Sequence, residues 1–333
     1  MGNVTGLPGD RKGNIMDRAT PMPAMPEKNK SGLAGFLKFV VRHRALYIML
    51  IPGLAYLIIF KYIPLAGSVI AFQDFNIFRG IWNSPWVGFK WFEQFFTYPQ
   101  LRRLLFNTII ISFYQLIFAF PAPILLALLL NEVRKMAFKR TVQTIVYLPH
   151  FFSWTIVFGF TYMILSVQTG LLNSLIESLG FERINFLQKA EYFRTIIVGT
   201  GIWKETGWSA IIFLAALAGI NPSLYEAAKI DGANRFRQLW HITLPGILPT
   251  IVIMLLLRIG NILDLGAEQI YMFLNELTYR TGDVLDTYTY RIGILGGQYS
   301  LTTAIGLFKS VVGFLLMVTA NQLSKKITGE GLY

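Results

Sequence analysis

Six stretches of this 333-residue chain are apolar over about 20 residues or more, the length that crosses a bilayer as a helix. They cover approximately 46–72, 107–130, 141–165, 195–220, 246–270 and 301–323. A soluble domain has no place to bury six such runs. Composition agrees: 54% of residues are apolar and only 14% charged, against about a quarter charged in an ordinary globular domain. The runs do not alternate with period two, so a membrane β-barrel is not indicated. The expected fold is all-α, a polytopic membrane protein with six transmembrane helices.

The flanks divide the chain further. Residues 1–32, "MGNVTGLPGDRKGNIMDRATPMPAMPEKNKSG" among them, are rich in Pro, Gly and charge, which predicts a disordered tail. The tail lacks the apolar stretch of a cleavable signal. Residues 33–45 are apolar on one side and basic at the end, a pattern for a helix lying on the membrane surface. Residues 46–333 form the membrane domain. With the N-terminus inside, seventeen Lys and Arg fall in inner segments and nine in outer ones. That bias predicts both termini in the cytoplasm. The net charge of +12 therefore reads as membrane orientation, and no nucleic-acid partner is expected. An outer segment, "FNIFRGIWNSPWVGFKWFEQFF" from Phe75 to Phe96, is crowded with aromatic residues. It suits interfacial anchoring or packing, and docking of an external partner or a sugar ring stays open.

Between the fourth and fifth runs lies "EAAKIDGANRFRQLWHITLP", Glu226 to Pro245. Asn221-Pro222-Ser223 ends the fourth run, with Ser223 as a cap for a new helix. Gly232 permits a tight turn, Asn234 can cap a second short helix, and Pro245 breaks it before the fifth run. The loop 221–245 thus reads as helix, turn, helix under the membrane. It could serve as a plain connector or as a knob for another protein's groove.

The order of residues in this loop resembles the EAA motif of bacterial ABC importer permeases. The pattern is complete: Glu226-Ala227-Ala228, Asp231-Gly232-Ala233, then Ile242-Thr243-Leu244-Pro245. "LIPGLAYLIIFKYIPLAGSVIAFQDFNIFRG", "SPWVGFKWFEQFF", "DVLDTYTYRIGI" and "ANQLSKKITGEGLY" are similar to the LplB-like branch of carbohydrate permeases, of maltose-permease type. The resemblance runs from about Arg44 to the C-terminus. It implies a type I importer fold in a bacterial inner membrane and a role in oligosaccharide import, with acidic, alginate-like chains among the substrates. It also implies a second homologous permease, two ATPase subunits and an external solute-binding protein. Glu226, Ala227, Ala228, Asp231, Gly232, Ala233, Leu244 and Pro245 would then form the ATPase-coupling site.

No catalytic site is expected on this chain. There is no Gly-Lys pair, hence no phosphate-binding loop of the Walker type, so ATP and Mg belong to partner subunits. No cysteine and no HExxH pattern occur, and no metal site is expected.

Ionisable residues at membrane depth are costly and mark function by default. On a continuous fifth helix, Arg258, Asn261, Asp264, Glu268 and Gln269 would share one face. They could line a substrate path, or Arg258 and Asp264 could merely pair. Lys309 in the sixth run could join Arg258 in meeting substrate carboxylates. Trp203 and Trp208 in "WKETGW" could stack on sugar rings or simply fill the core. A secondary, ion-coupled sugar transporter is the alternative, although it would have no use for the 226–245 motif.

Overall fold

The computed structural model describes residues 41–332. The tail 1–32 and most of the expected surface helix 33–45 lie outside these residues. The chain divides into two compact units, Met1–Leu65 and Ala66–Tyr333. Among the described residues the structure is helical, with one isolated antiparallel bridge between Gln73 and Trp86.

Four helices are each long and apolar enough to cross a membrane: α1 (Arg44–Phe72), α2 (Leu101–Glu132), and two later ones. Next come α3 (Met136–Phe151) and α4 (Trp154–Leu165), which together supply the third run but meet at 107°. This corrects the expectation of one straight span. Pro149 closes α3 in a tight 3₁₀ turn, and Ser153 then caps α4 by accepting from the Ile156 N–H (3.4 Å). The fourth run is α5 (Ala190–Ala218), bent by 67° from α6 (Pro222–Ile230). Then follow α7 (Arg235–Gly260), the short α8 (Ala267–Phe273) and α9 (Tyr299–Thr328).

The fifth run departs most from expectation. The helix begins eleven residues before 246 and stops at Gly260, ten before 270. Pro245 does not break it. The preceding turn, Leu239–Thr243, is π-helical, so the Leu244 N–H bonds the Leu239 carbonyl five residues back. A proline lacks the N–H of the normal ladder, and its ring strikes the carbonyl four residues earlier. One extra residue in the turn relieves both conflicts. The same device recurs before Pro64 in α1, with a π turn at Ile58–Tyr62, and before Pro121 in α2, with a π turn at Gln115–Ala119. Three of the prolines inside these long helices thus follow a π turn, while Pro52 and Pro249 are carried without one. At the other end of α7, Asn261 leaves helical geometry (φ −107°, ψ 25°).

The second unit packs in three tiers along α2. Leu101 and Leu104 join Leu285, Tyr288, Leu301 and Ile305 at one end. Ile111 meets Phe193, Ile197, Ile270 and Phe273 in the middle. Ala127 meets Ala210, Phe213, Leu217 and Ile247 at the other end. On α2 the polar side chains face inward: Asn107, Thr108, Ser112 and Gln115 are buried, whereas Phe106, Ile109, Phe113 and Ile117 are exposed. That inversion belongs to a helix whose outer face meets lipid or another apolar surface. Small residues permit close approach. A methyl on Gly207 of α5 would overlap the Val146 carbonyl of α3.

Candidate functional site

Two places collect the polar residues singled out by the sequence. The first is the loop 221–245. Asn221, not Ser223, caps α6: its side chain accepts from the Ser223 N–H (3.0 Å), and Pro222 occupies the first turn, where its missing N–H costs nothing. The helix ends in a Schellman closure. Gly232 N–H donates to Lys229 O (3.1 Å), and Ala233 N–H donates to Ala228 O (2.8 Å). Such a closure needs a left-handed residue, and Gly232 supplies it at φ +73°. Asn234 caps α7, accepting from the Arg237 N–H (2.9 Å). Tyr225 Oη lies 2.9 Å from Thr243 Oγ1, and this bond braces the two arms of the turn. Arg235 pairs with Glu132 at the end of α2 (2.5 Å).

The loop therefore presents a fixed surface. Glu226, Ala227, Asp231, Gly232 and Pro245 are exposed; Ala228, Ala233 and Leu244 are half-buried. The sequence reading passed over the apolar part of this surface. Ile230 is 88% exposed, with Leu224, Phe236 and Trp240 also exposed around it. Their alternation with charge hid them, since no apolar run marks the patch.

The second place is a cavity of about 430 Å³ between α2, α5 and α7. Arg258, Asn261 and Gln269 all line it, together with Gln115, Trp154 and Glu205. The expected continuous stripe is absent because α7 stops at Gly260, but the break and the return through α8 bring Gln269 back to the same wall. Arg258 Nη2 donates to Gln115 Oε1, and among the described residues no carboxylate pairs with Arg258. The alternative, an Arg258–Asp264 pair, is therefore not formed. Gln269 Nε2 donates to Ile197 O (2.7 Å) and Thr200 Oγ1 (3.1 Å), which fixes α8 against α5. Glu205 sits between His150 Nδ1 (2.8 Å) and Lys204 Nζ (3.3 Å). Lys204, nearly buried, also donates to His150 O (2.6 Å). Glu205 is thus matched by its own cation, and Arg258 is the cavity wall's unmatched charge.

The remaining expected path residues go elsewhere. Lys309 bonds both Asp264 and Asp286, so its charge is already met from within the chain. Asp264 and Asp286 border a separate cavity of about 500 Å³. Glu268 is exposed on α8 and lines neither cavity. Trp203 borders a third, apolar cavity beside Phe160 and Ile196. Trp208 lies flat on His150, ring centroids 4.6 Å apart and planes 1° off parallel, so one of its faces is taken. Gln115 and Trp154 were missed by sequence reading. Gln115 had a signal, as a lone amide inside an apolar run.

The family model for binding-protein-dependent transport system inner membrane components matches residues 119–329. The chain belongs to this family. The permease is 54% identical to Protein LplB of Bacillus subtilis over 292 residues, covering 88% of this chain and 92% of that one. It is 49% identical to the polygalacturonan/rhamnogalacturonan transport system permease protein YteP of the same organism, with the same coverage. Among solved structures it matches a chain of a bacterial ABC transporter involved in the import of the acidic polysaccharide alginate. The TM-score is 0.80 at 42% identity, covering 88% of this chain and 99% of that chain. It also matches a chain of a bacterial alginate ABC transporter solved in complex with an alginate pentasaccharide-bound periplasmic protein, again at TM-score 0.80 and 42% identity. The matched family region contains the loop 221–245 and the walls of the Arg258 cavity other than Gln115.

Proposed function

We propose that this chain is one permease subunit of an ATP-driven importer of acidic oligosaccharides. It works with a second permease, two ATPase subunits that hold ATP and Mg, and an external solute-binding protein. Both termini face the cytoplasm. The relatives named for polygalacturonan and alginate transport support an acidic polysaccharide as the source of substrate. The observation in this chain that carries the reading is Arg258. It is a guanidinium at membrane depth, in a cavity, with an amide and no carboxylate as partner. A uronate carboxylate would complete it with two parallel hydrogen bonds. Asn261, Gln115 and Gln269 offer the neutral donors and acceptors that sugar hydroxyls require.

The loop 221–245 is the surface on which the ATPase would act. Its rigid closure at Gly232 transmits displacement to α7, because α7 begins within the loop at Arg235 and runs unbroken to Gly260. Arg258 is two residues from the far end of that helix. One rod therefore joins the ATPase-facing surface to the cavity. The ion-coupled alternative finds no support among these relatives.

The experiment is ATP hydrolysis by the reconstituted complex, with binding protein loaded with neutral or acidic oligosaccharides. Wild type should be stimulated by acidic chains. Arg258→Gln should lose about tenfold or more of its apparent affinity in that stimulation, the scale of one charge-assisted hydrogen bond. Equal stimulation of wild type and Arg258→Gln by acidic chains would remove Arg258 from the substrate path.

A further inference from the structure

Between α1 and α2 the chain makes a closed turn whose construction is unusual for a loop in water. Its base is the Gln73–Trp86 bridge, with Asp74 N–H donating to Pro85 O and Val87 N–H to Phe72 O, each at 2.8 Å. Its inside is polar and hydrogen-bonded, apart from the buried Gln73 Oε1. Ser84 Oγ donates to Gly80 O (2.6 Å) and accepts from the Asn76 N–H (3.2 Å), and the Trp91 indole donates to Gln73 O (2.7 Å). Its outside is apolar. Phe78 is 96% exposed and Trp82 is 95% exposed, with Ile77 and Phe89 exposed beside them. The backbone is pinned; Phe89 packs on Phe72 and Phe92, whereas Phe78 and Trp82 are almost wholly exposed. Arg79 stands among them and makes no ion pair among the described residues, whereas Lys90 is matched by Asp74 (3.7 Å).

The depth of this turn is fixed by α9. Phe75 N–H donates to Ser300 Oγ (3.0 Å), and the Phe75 ring meets Tyr299 edge-on (6.2 Å). Tyr299 and Ser300 are the first two residues of α9, a candidate span. The base of the turn therefore sits where a membrane helix ends. Three residues reach at most about 10 Å, so Phe78 cannot stand farther than that from this level. The headgroup layer of one leaflet is of similar thickness, roughly 5–8 Å.

We propose that the 76–89 turn is a lipid anchor: Phe78 and Trp82 enter the headgroup–acyl boundary, and Arg79 meets lipid phosphate. Aromatic rings with a flanking cation are the composition that this zone favours. The occupant is the bilayer, which needs no complementary groove and tolerates rings that are almost wholly exposed. The anchor fixes the end of α9, and with it Lys309, at a set depth.

The chain has no cysteine, so single thiols report one site each. Phe78→Cys and Trp82→Cys are spin-labelled in the full complex, built from otherwise cysteine-free subunits, in phosphatidylcholine–phosphatidylglycerol vesicles. Collisions with oxygen and with a water-soluble nickel chelate are compared with those at Glu330→Cys. The oxygen-to-nickel ratio at 78 and 82 should exceed the reference several-fold. A ratio equal to the reference places the tip in water and overturns the proposal. Exclusion of both reagents means a protein partner covers the tip, and overturns it equally. Adding Arg79→Glu to Phe78→Cys should lower the ratio in phosphatidylcholine alone, whose headgroup also carries a phosphate, and lower it further in vesicles containing phosphatidylglycerol. No change in either would overturn the phosphate contact.

Discussion

The loop at residues 221–245 and the cavity around Arg258 are assembled from different kinds of bond. In the loop, the Asn221 cap, the Schellman closure and the Asn234 cap each join residues two to five apart. In the cavity wall, Gln269 reaches Ile197 across 72 positions, Arg258 reaches Gln115 across 143, and Ser112 of the neighbouring wall reaches Ile262 across 150. The loop is therefore shaped mainly by its own sequence, while the cavity exists only once α2, α4, α5, α7 and α8 have met. A surface that must seat against another subunit can be formed locally. A substrate cavity cannot, because Arg258 and Gln269 need partners supplied from distant segments, even though Asn261 bonds Leu257 O nearby.

The strongest way to break this comparison is to push the helices apart. Gly207→Leu forces a side chain into the Val146 carbonyl, a backbone group that cannot rotate away. A clash of this kind exceeds the roughly 1–3 kcal/mol typical of overpacking, since no rotamer relieves it. The expected result is loss of the assembled complex or a large fall in its melting temperature. A synthetic peptide spanning the loop would be indifferent to it.

Gly232→Val is next. A β-branched residue at φ +73° carries a strain of about 1–2 kcal/mol, and Cβ itself meets open space, so the damage is conformational and local. Stimulated ATP hydrolysis should fall about tenfold or more at that cost, while binding-protein docking to the membrane complex is retained. If docking falls in parallel, the loop is not separable from the cavity as the bond pattern requires.

The same contrast governs what the sequence could reveal. The turn at Gly232 and the cap at Asn234 were legible because each depends on one residue type at one spacing. The break at Gly260–Asn261 was not, since neither residue must end a helix and the apolar pattern runs on through Ile262 and Leu263. As a result, Glu268 was placed on a face that the chain does not form, and Lys309 was read as open to substrate although Asp264 and Asp286 close on it. Pro245 misled in the opposite direction. It reads as a helix breaker, and only the π turn over Leu239–Thr243 lets the helix continue. Gln115 joins Arg258 through tertiary packing that no spacing rule anticipates.

Asn234→Ala sharpens the comparison at lower cost. The cap accepts the Arg237 N–H, and its loss should destabilise the start of α7 by about 1 kcal/mol. Hydrogen exchange should rise at Arg235–Gln238 and stay unchanged at Arg258. A rise that spread to Arg258 would show that the rod frays as a whole.

The smallest effect is expected at the short helix Leu171–Ser178, where local and tertiary bonding can be separated by pH. Arg183 donates to Glu177 (2.7 Å) and to the carbonyls of Val167 and Gln168 (2.7 and 2.6 Å). The hydrogen bond from Arg183, with its charge, holds the Glu177 carboxyl below the ordinary value of 4.5. A carboxyl depressed in the folded state stabilises fully above its unfolded pKa and loses that contribution as pH falls through the folded one. Protection of the Arg183 segment should therefore be flat above about pH 5 and fall in the acid range below it. Both groups of the pair are solvent-screened, so the change should be small and should shrink further in salt. Glu177→Gln should abolish the acid dependence but keep the two carbonyl bonds. An acid dependence that survived in Glu177→Gln would move its origin to another carboxylate, leaving the carbonyl bonds of Arg183 and the Asn173 amide to fasten this segment.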